Sequence, residues 1–170
     1  MDIDKFFLSL AGLMSQLYVL DVDGNPTSQH MPAKAQAPMS LTETDLPTWI
    51  FIPLAATYPY PPDQTMERLA QETRDFDIRL YVTIAQTGID GEAQRKVQPY
   101  MDIGRDHIQK HVRLWDGDPY HEVEGLQRSY LIRDSGPATL RYSAADKTPF
   151  LGISYTVRVE CLNAIDYANQ

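Results

Sequence analysis

The first segment of the chain has the spacing of a single apolar helical face. Apolar residues recur there every three or four positions, at Ile3, Phe6, Phe7, Leu10, Leu13, Met14 and Leu17. This recurrence matches the 3.6-residue period of an α-helix that covers a core, and Asp2 or Asp4 is available to cap its start. The pattern therefore predicts a first helix.

The clearest strand signal lies between residues 75 and 85. One set of alternate positions is apolar, namely Phe76, Ile78, Leu80, Val82 and Ile84. The intervening set is Asp75, Asp77, Arg79, Tyr81 and Thr83. Because successive side chains of a strand point to opposite faces, this alternation predicts a half-buried strand with one polar face.

Weaker strand patterns and one longer helical pattern complete the prediction. Further strands are expected at residues 49–52, 126–132, 138–142 and 151–161. Asp90 can cap a helix that runs to about Trp115, with Pro99 as a possible kink. Its inward positions are Val97, Met101, Gly104, Ile108, Val112 and Trp115. Short links favour antiparallel pairing, so we predict one α+β domain, residues 1–170, with a mostly antiparallel sheet covered by two helices.

Residues 25–47 interrupt this regular pattern. Pro26, Pro32, Pro38 and Pro47 lie there among Gly, Ser, Thr, Asn, Gln and Ala, which disfavours regular structure over most of the segment. A loop of this length is unusual as a plain connector in a compact domain. We expect an extended proline-rich arm that is either mobile or ordered by a neighbouring molecule.

Composition and charge narrow the classes of protein. The 170 residues are 43% hydrophobic and carry a formal charge of −8, which suits a soluble globular domain that repels phosphates. Generic nucleic-acid binding through a basic surface is therefore disfavoured. The sequence lacks an apolar run of membrane-spanning length, and its acidic start is unlike a signal peptide, so we expect synthesis in a cytoplasm. The single cysteine, Cys161, excludes an intrachain disulfide and is expected to fill the core.

One motif raises the possibility of catalysis. The run Leu17–Asn25 places Asp21 and Asp23 in an Asp-x-Asp-Gly pattern, which resembles the nucleophile motif of haloacid-dehalogenase-like phosphotransferases that use Mg²⁺. Those enzymes also need a parallel α/β sheet and later motifs that are not evident in this chain. The alternative, which we favour, is a turn that leaves the first helix or joins two short strands.

Other potential chemistry is weaker still. His107 and His111 are four residues apart on the predicted helix, with Asp106 and His121 as conceivable further metal ligands, but we favour ordinary partly buried or surface histidines because no His-Glu-x-x-His pattern is present. Ser135 lacks a nucleophile-elbow sequence and is expected in a turn. Glycine-rich phosphate loops are missing from the sequence. We therefore expect no catalytic, cofactor-binding or metal-binding residues, and no enzyme activity.

Residues 47–164 resemble the tail terminator, or tail completion, proteins of long-tailed bacteriophages and gene-transfer particles. The segments that carry the resemblance, in chain order, are LPTWIFIPL (46–54), ATY (56–58), ETR (72–74), FDIRLYV (76–82), QTGIDGEA (86–93), DSG (134–136) and FLGISYTVRV (150–159). No single segment is specific, and their order and spacing carry the match. The proline-rich stretch 25–38 has no counterpart in it.

The resemblance implies an α+β subunit of a hexameric ring that ends the tail tube and joins it to the head–tail connector. The implied partners are other copies of the chain, the tail tube protein and neck proteins, and DNA would pass through the channel without specific binding. The implied location is the virion tail or neck, assembled in the host cytoplasm, with no membrane contact. Another neck, adaptor or head-completion protein is the main alternative. The polar strand face at Asp75, Asp77, Arg79 and Tyr81 is the predicted subunit interface.

Overall fold

Two helices lie where the apolar periodicity predicts them. The structure, a computed structural model, describes residues 3–57, 69–85, 91–112, 126–142 and 148–164. Helix α1 spans Ile3–Met14 and helix α2 spans Gly91–Val112, with Pro99 inside α2. The predicted last turn of α2, residues 113–115, lies outside the described residues. Val97 and Ile108 are buried as predicted.

Within the described ranges, eight strands form one large sheet and one hairpin. The hairpin pairs β1 (Tyr18–Leu20) with β2 (Pro26–His30). The large sheet contains β3 (Ala33–Lys34), β4 (Thr48–Thr57), β5 (Leu69–Ile84), β6 (Leu126–Asp134), β7 (Ala138–Arg141) and β8 (Pro149–Ala164). Its order is β3-β4-β5-β8-β6, and β7 also pairs with β8. Only the β3–β4 pair is parallel among the described strands, so the predicted α+β class with a mostly antiparallel sheet is confirmed.

The main core fills the space between the helices and one face of the sheet. Phe76 of β5 packs against both Phe6 and Phe7 of α1, with ring centroids 5.1 and 5.3 Å away. Aromatic pairs at these distances contribute more than their buried area alone. Cys161 is fully buried in the same core, as the alternation of β8 predicts. We call this side of the sheet the helix face.

Helix α2 crosses the sheet closely because Gly104 has no side chain. A Cβ atom at Gly104 would lie 2.6 Å from the hydroxyl oxygen of Tyr155 and 3.1 Å from the indole of Trp49. The Tyr155 hydroxyl donates a hydrogen bond of 2.9 Å to the carbonyl of Met101 on the same helix. Glycine is thus used here for close packing of the helix on β8.

A smaller core lies on the opposite face of the sheet, which we call the open face. Its buried members are Leu41, Ile50, Tyr81 and Phe150. Tyr81 and Phe150 meet edge to face with ring centroids 5.6 Å apart. No helix covers this core in the described chain; residues 35–47, which we call the strap, supply its cover through Leu41 and Leu46.

The proline-rich segment differs from the predicted arm. The segment 25–47 includes β2, β3 and a short 3-10 helix, Glu43–Asp45. Lys34 binds the Asp45 carboxylate at 2.6 Å, and the Tyr142 hydroxyl donates to the carbonyl of Pro38. The buried Leu41 side chain and these polar contacts therefore attach the segment to its own subunit.

Candidate functional site

The predicted interface strand, β5, occupies the middle of the sheet. Asp75 and Arg79 are partly exposed on the open face, but Asp77 is only 7% exposed and Tyr81 is fully buried. The prediction that all four residues form an accessible polar surface is wrong for Asp77 and Tyr81. The strap and Phe150 cover Tyr81, and neighbouring strands enclose Asp77. A subunit contact through Asp75 and Arg79 stays a prediction.

The first charge pair of the open face joins β5 to β8. Asp75 and Arg158 are opposite each other in the strand register. The Arg158 guanidinium donates two hydrogen bonds to the two Asp75 oxygens, at 2.8 and 2.9 Å. This bidentate contact holds the pKa of the Asp75 carboxyl below its usual value. The Arg158 side chain remains 40% exposed, so the pair is presented to solvent.

The second polar cluster surrounds Asp77. Thr156 donates to one Asp77 oxygen at 2.9 Å and Arg79 donates to the other at 3.0 Å. Burial alone would lower the pKa of Arg79, but the adjacent Tyr81 and Asp77 raise it overall. Arg133 of β6 adds a contact to the Thr156 hydroxyl at 3.2 Å. The Asp77 carboxylate therefore has direct partners on β5 and β8, and Arg133 of β6 supports it only through the Thr156 hydroxyl.

Together these residues make a surface with both signs of charge. Tyr130 of β6 extends the row by donating to the Glu160 carboxylate at 3.2 Å. We call the set the charged face, and its members are Asp75, Asp77, Arg79, Tyr130, Arg133, Thr156, Arg158 and Glu160. No part of the described chain covers it with a helix. Mixed charge of this kind can set the register of a contact between proteins.

Both edges of the large sheet carry features that oppose strand addition. The register of β6 on β8 shifts twice, between Leu126 and Arg128 and between Leu131 and Arg133. On the other side, β3 pairs only with Trp49 and Ile50 of β4, and the part of β4 beyond them contains Pro53 and a register shift before Ala56. Bulges and edge prolines hinder pairing with another strand. The faces of the sheet are therefore better contact surfaces than its edges.

The Asp-x-Asp-Gly motif forms the turn between β1 and β2. One Asp21 oxygen accepts hydrogen bonds from the backbone amides of Asp23 and Asn25, at 2.9 and 2.8 Å. The Asn25 amide is the main cause that holds the pKa of Asp21 below its usual value. Gly24 adopts φ of +82°, which favours glycine. The turn predicted as the alternative to a nucleophile motif is confirmed, and Asp21 follows a strand of an antiparallel hairpin, not of a parallel sheet.

A pocket of about 480 Å³ lies beside this turn. It is lined by Val19, Leu20, Asp21, Val22, Pro47, Val82, Thr83, Arg95, Lys96, Pro99 and Tyr100. The Tyr100 hydroxyl fixes one wall by accepting from the Leu20 amide at 2.9 Å. Sequence reasoning missed this pocket, because its walls come from segments far apart in the chain and no local pattern connects them.

The remaining candidate side chains have structural roles where the structure describes them. His107 places its Nε2 atom 2.8 Å from the carbonyl oxygen of Leu13, which links α2 to the end of α1. The side chain of His111 and all of His121 lie outside what is described. Ser135 lies in the predicted turn, where its hydroxyl accepts from the Ser154 amide at 3.0 Å. Among the described residues, no group of three or more His, Cys, Asp or Glu side chains is arranged to hold a metal ion.

Comparison with known proteins adds no relative: no family model matches the chain, and no curated protein matches it significantly. Within the described ranges, neither helix has the length and apolar character needed to cross a membrane. The geometry of the charged face and the pocket therefore carries the functional argument.

Proposed function

We propose that this protein is a structural subunit of a ring, a hexamer by analogy, that ends a phage tail tube and joins it to the head–tail connector. The resemblance of residues 47–164 to tail terminator proteins motivates the proposal. The observation that carries it is the charged face, because a half-exposed sheet face with paired charges of both signs is suited to a specific contact with another protein.

The sheet edges favour the same mode of assembly. Bulges in β6 and Pro53 in β4 hinder edge-to-edge pairing, so copies would meet through faces and loops. A ring needs a heterologous interface, in which one surface contacts a different surface on the next copy. Mixed charge sets the register of such a contact and discriminates against wrong partners.

The overall charge of −8 fits a channel protein that DNA passes without binding. Like charges on protein and phosphate backbone repel, which lowers nonspecific affinity. On this proposal, the location is the virion neck or tail, and the partners are the tail tube protein and the connector.

A charge-swap variant tests the proposal. Asp75→Arg combined with Arg158→Asp preserves an ion pair on the charged face but inverts the charges shown to a partner. The matched control is Arg105→Asp with Asp134→Arg, which inverts a pair between α2 and β6 on the helix face, now 2.7 Å apart. Light scattering across dilution, with and without tail tube protein, gives the mass against 19.3 kDa for a monomer.

We expect the natural protein and the control to reach a ring mass, alone or on tube ends, and the Asp75/Arg158 variant to stay monomeric while folded. An unchanged ring in the latter variant would exclude the charged face as the interface. A natural protein that stays monomeric and ignores tubes would refute the terminator role. Binding to connector proteins without binding to tubes would instead favour a head-completion or adaptor protein.

A further inference from the structure

The pocket beside the Asp21 turn and an exposed methionine on the strap form complementary halves of one contact. We propose that Met39 of one copy inserts into this pocket on the next copy of the ring, an inference that rests on the proposed function. It assigns a second interface region, separate from the charged face, and names a second copy of the chain as its occupant.

The pocket has the chemistry of a site for an apolar side chain. Its lining includes the apolar residues Val19, Val82 and Pro99 and the ring of Tyr100. At about 480 Å³ it has room for an unbranched side chain and its flanking backbone. Val22, at the rim, is 99% exposed, so apolar surface continues outward from the pocket.

Met39 is presented as a projecting apolar group. Its side chain is fully exposed, whereas Leu41, two residues later, is buried beneath the strap. Two contacts anchor the strap on either side of Met39. The Tyr142 hydroxyl donates a hydrogen bond to the Pro38 carbonyl, and the Lys34 ammonium pairs with the Asp45 carboxylate. Methionine is flexible and polarisable, so it adapts to an irregular apolar pocket. Holding the strap in place before binding lowers the entropy cost of the contact.

Charge favours the same pairing. Arg95 and Lys96 line the pocket and are exposed, and Glu43 is exposed on the strap close to Met39 in sequence. Asp45, the other strap carboxylate, is already paired with Lys34. The positive charges of the pocket should therefore attract Glu43 of the next copy. Asp21, which also lines the pocket, would repel Glu43, but its carboxylate accepts hydrogen bonds from the amides of its own turn.

Pro47, the last residue of the strap, lines the pocket, but Met39 and the inner pocket wall adjoin different cores of one subunit. The pocket adjoins Tyr100, a member of the core on the helix face. Met39 adjoins Pro38, which Tyr142 holds beside the smaller core on the open face. A contact between different surfaces of two copies repeats from subunit to subunit, which is the heterologous geometry that closes rings.

Crosslinking of mixed single-cysteine variants tests the contact. Met39→Cys protein is mixed with Val22→Cys protein and treated with a short bis-maleimide, so that any mixed product joins two copies. The native Cys161 is fully buried and is the same in every sample. Leu8→Cys, on the exposed side of α1, replaces Val22→Cys in the matched control. Mass is measured on the same samples.

We expect the Met39–Val22 mixture to crosslink on the order of a hundredfold faster than the control, because adjacent subunits give a high effective concentration. Arg95→Glu should slow this reaction, and adding Glu43→Arg to the Met39→Cys partner should restore it. A ring mass with equal crosslinking of both mixtures would overturn this inference and leave the ring intact. A monomeric mass with tube protein present would overturn the proposed function, and this inference with it.

Discussion

The two faces of the large sheet differ in what they bury. On the helix face, Phe76, Ile78 and Leu80 of β5 are all fully buried beneath helices and neighbouring strands. On the open face, the same strand buries Tyr81 but leaves Asp75 and Arg79 partly exposed. One strand thus serves a continuous apolar core on one side and a mixed apolar and charged surface on the other.

This difference separates stability from recognition. Burial of large apolar side chains supplies most of the free energy of folding, so the helix face should dominate stability. Partly exposed ion pairs contribute little to stability because water and salt screen them. The charged face can therefore change with a partner while the fold is retained.

The largest effect is expected from the helix face. Phe76→Ala should lower the free energy of unfolding by about 3–5 kcal/mol, because it opens a cavity between β5 and the aromatic rings of α1. Urea denaturation measures the change. Ile132→Ala, at a position 42% exposed on β6, is the control and should change it by no more than about 0.5 kcal/mol. Equal effects of the two substitutions would contradict the assignment of the main core.

An intermediate effect is expected where α2 meets the sheet. Gly104→Ala should destabilise the fold by about 1–3 kcal/mol, because the new methyl group displaces the Tyr155 hydroxyl from Met101. The matched control is Gly12→Ala in α1, where nothing lies within 4 Å of the added carbon. That change should stabilise the protein by about 0.5–1 kcal/mol through helix propensity. Thermal unfolding measures the stability of both variants. An unchanged stability of Gly104→Ala would refute the close approach of α2 to Tyr155 and Trp49.

The smallest effect is expected on the charged face. Asp75→Asn should lower the free energy of unfolding by less than about 1 kcal/mol at neutral pH, since its partner Arg158 is partly exposed to solvent, which screens the pair. Arg158 lowers the pKa of Asp75 in the folded state, so the contribution is present above the unfolded pKa of about 3.9 and is lost as pH falls through the folded value. Urea titrations should therefore show a difference in unfolding free energy between the natural protein and Asp75→Asn that is fully present at pH 7 and shrinks as the pH falls below about 3.9. A difference that persists in acid or grows with salt would argue against the ion pair.

Much of the fold could be predicted from periodicity. The 3.6-residue spacing located α1 and most of α2, and strict alternation located β5 and β8, because each element buries one side against the same core. Strand lengths were underestimated: β5 begins at Leu69, six residues before the alternation becomes clear, because β8 pairs with it over this polar stretch. The turn at Asp21 followed from the hydrogen-bonding habits of Asp and Gly.

The candidate sites were less predictable because they depend on long-range packing. The alternation of β5 placed Tyr81 on a polar face. In the structure the strap and Phe150 bury that end of the face, and the sequence of β5 contains no local pattern that predicts this cover. Folding of residues 35–47 onto their own subunit depended on Leu41 and Leu46, two apolar residues without a regular spacing that would have marked them as core. The pocket required segments around Leu20, Val82 and Tyr100 to converge, which the sequence does not show.

The bulges of β6 and the proline in β4 also affect how readily the unassembled subunit aggregates. Flat, open strand edges let proteins stack into cross-β fibres at high concentration. Because the described edges of this sheet are distorted, we expect the free subunit to resist this kind of edge-to-edge aggregation.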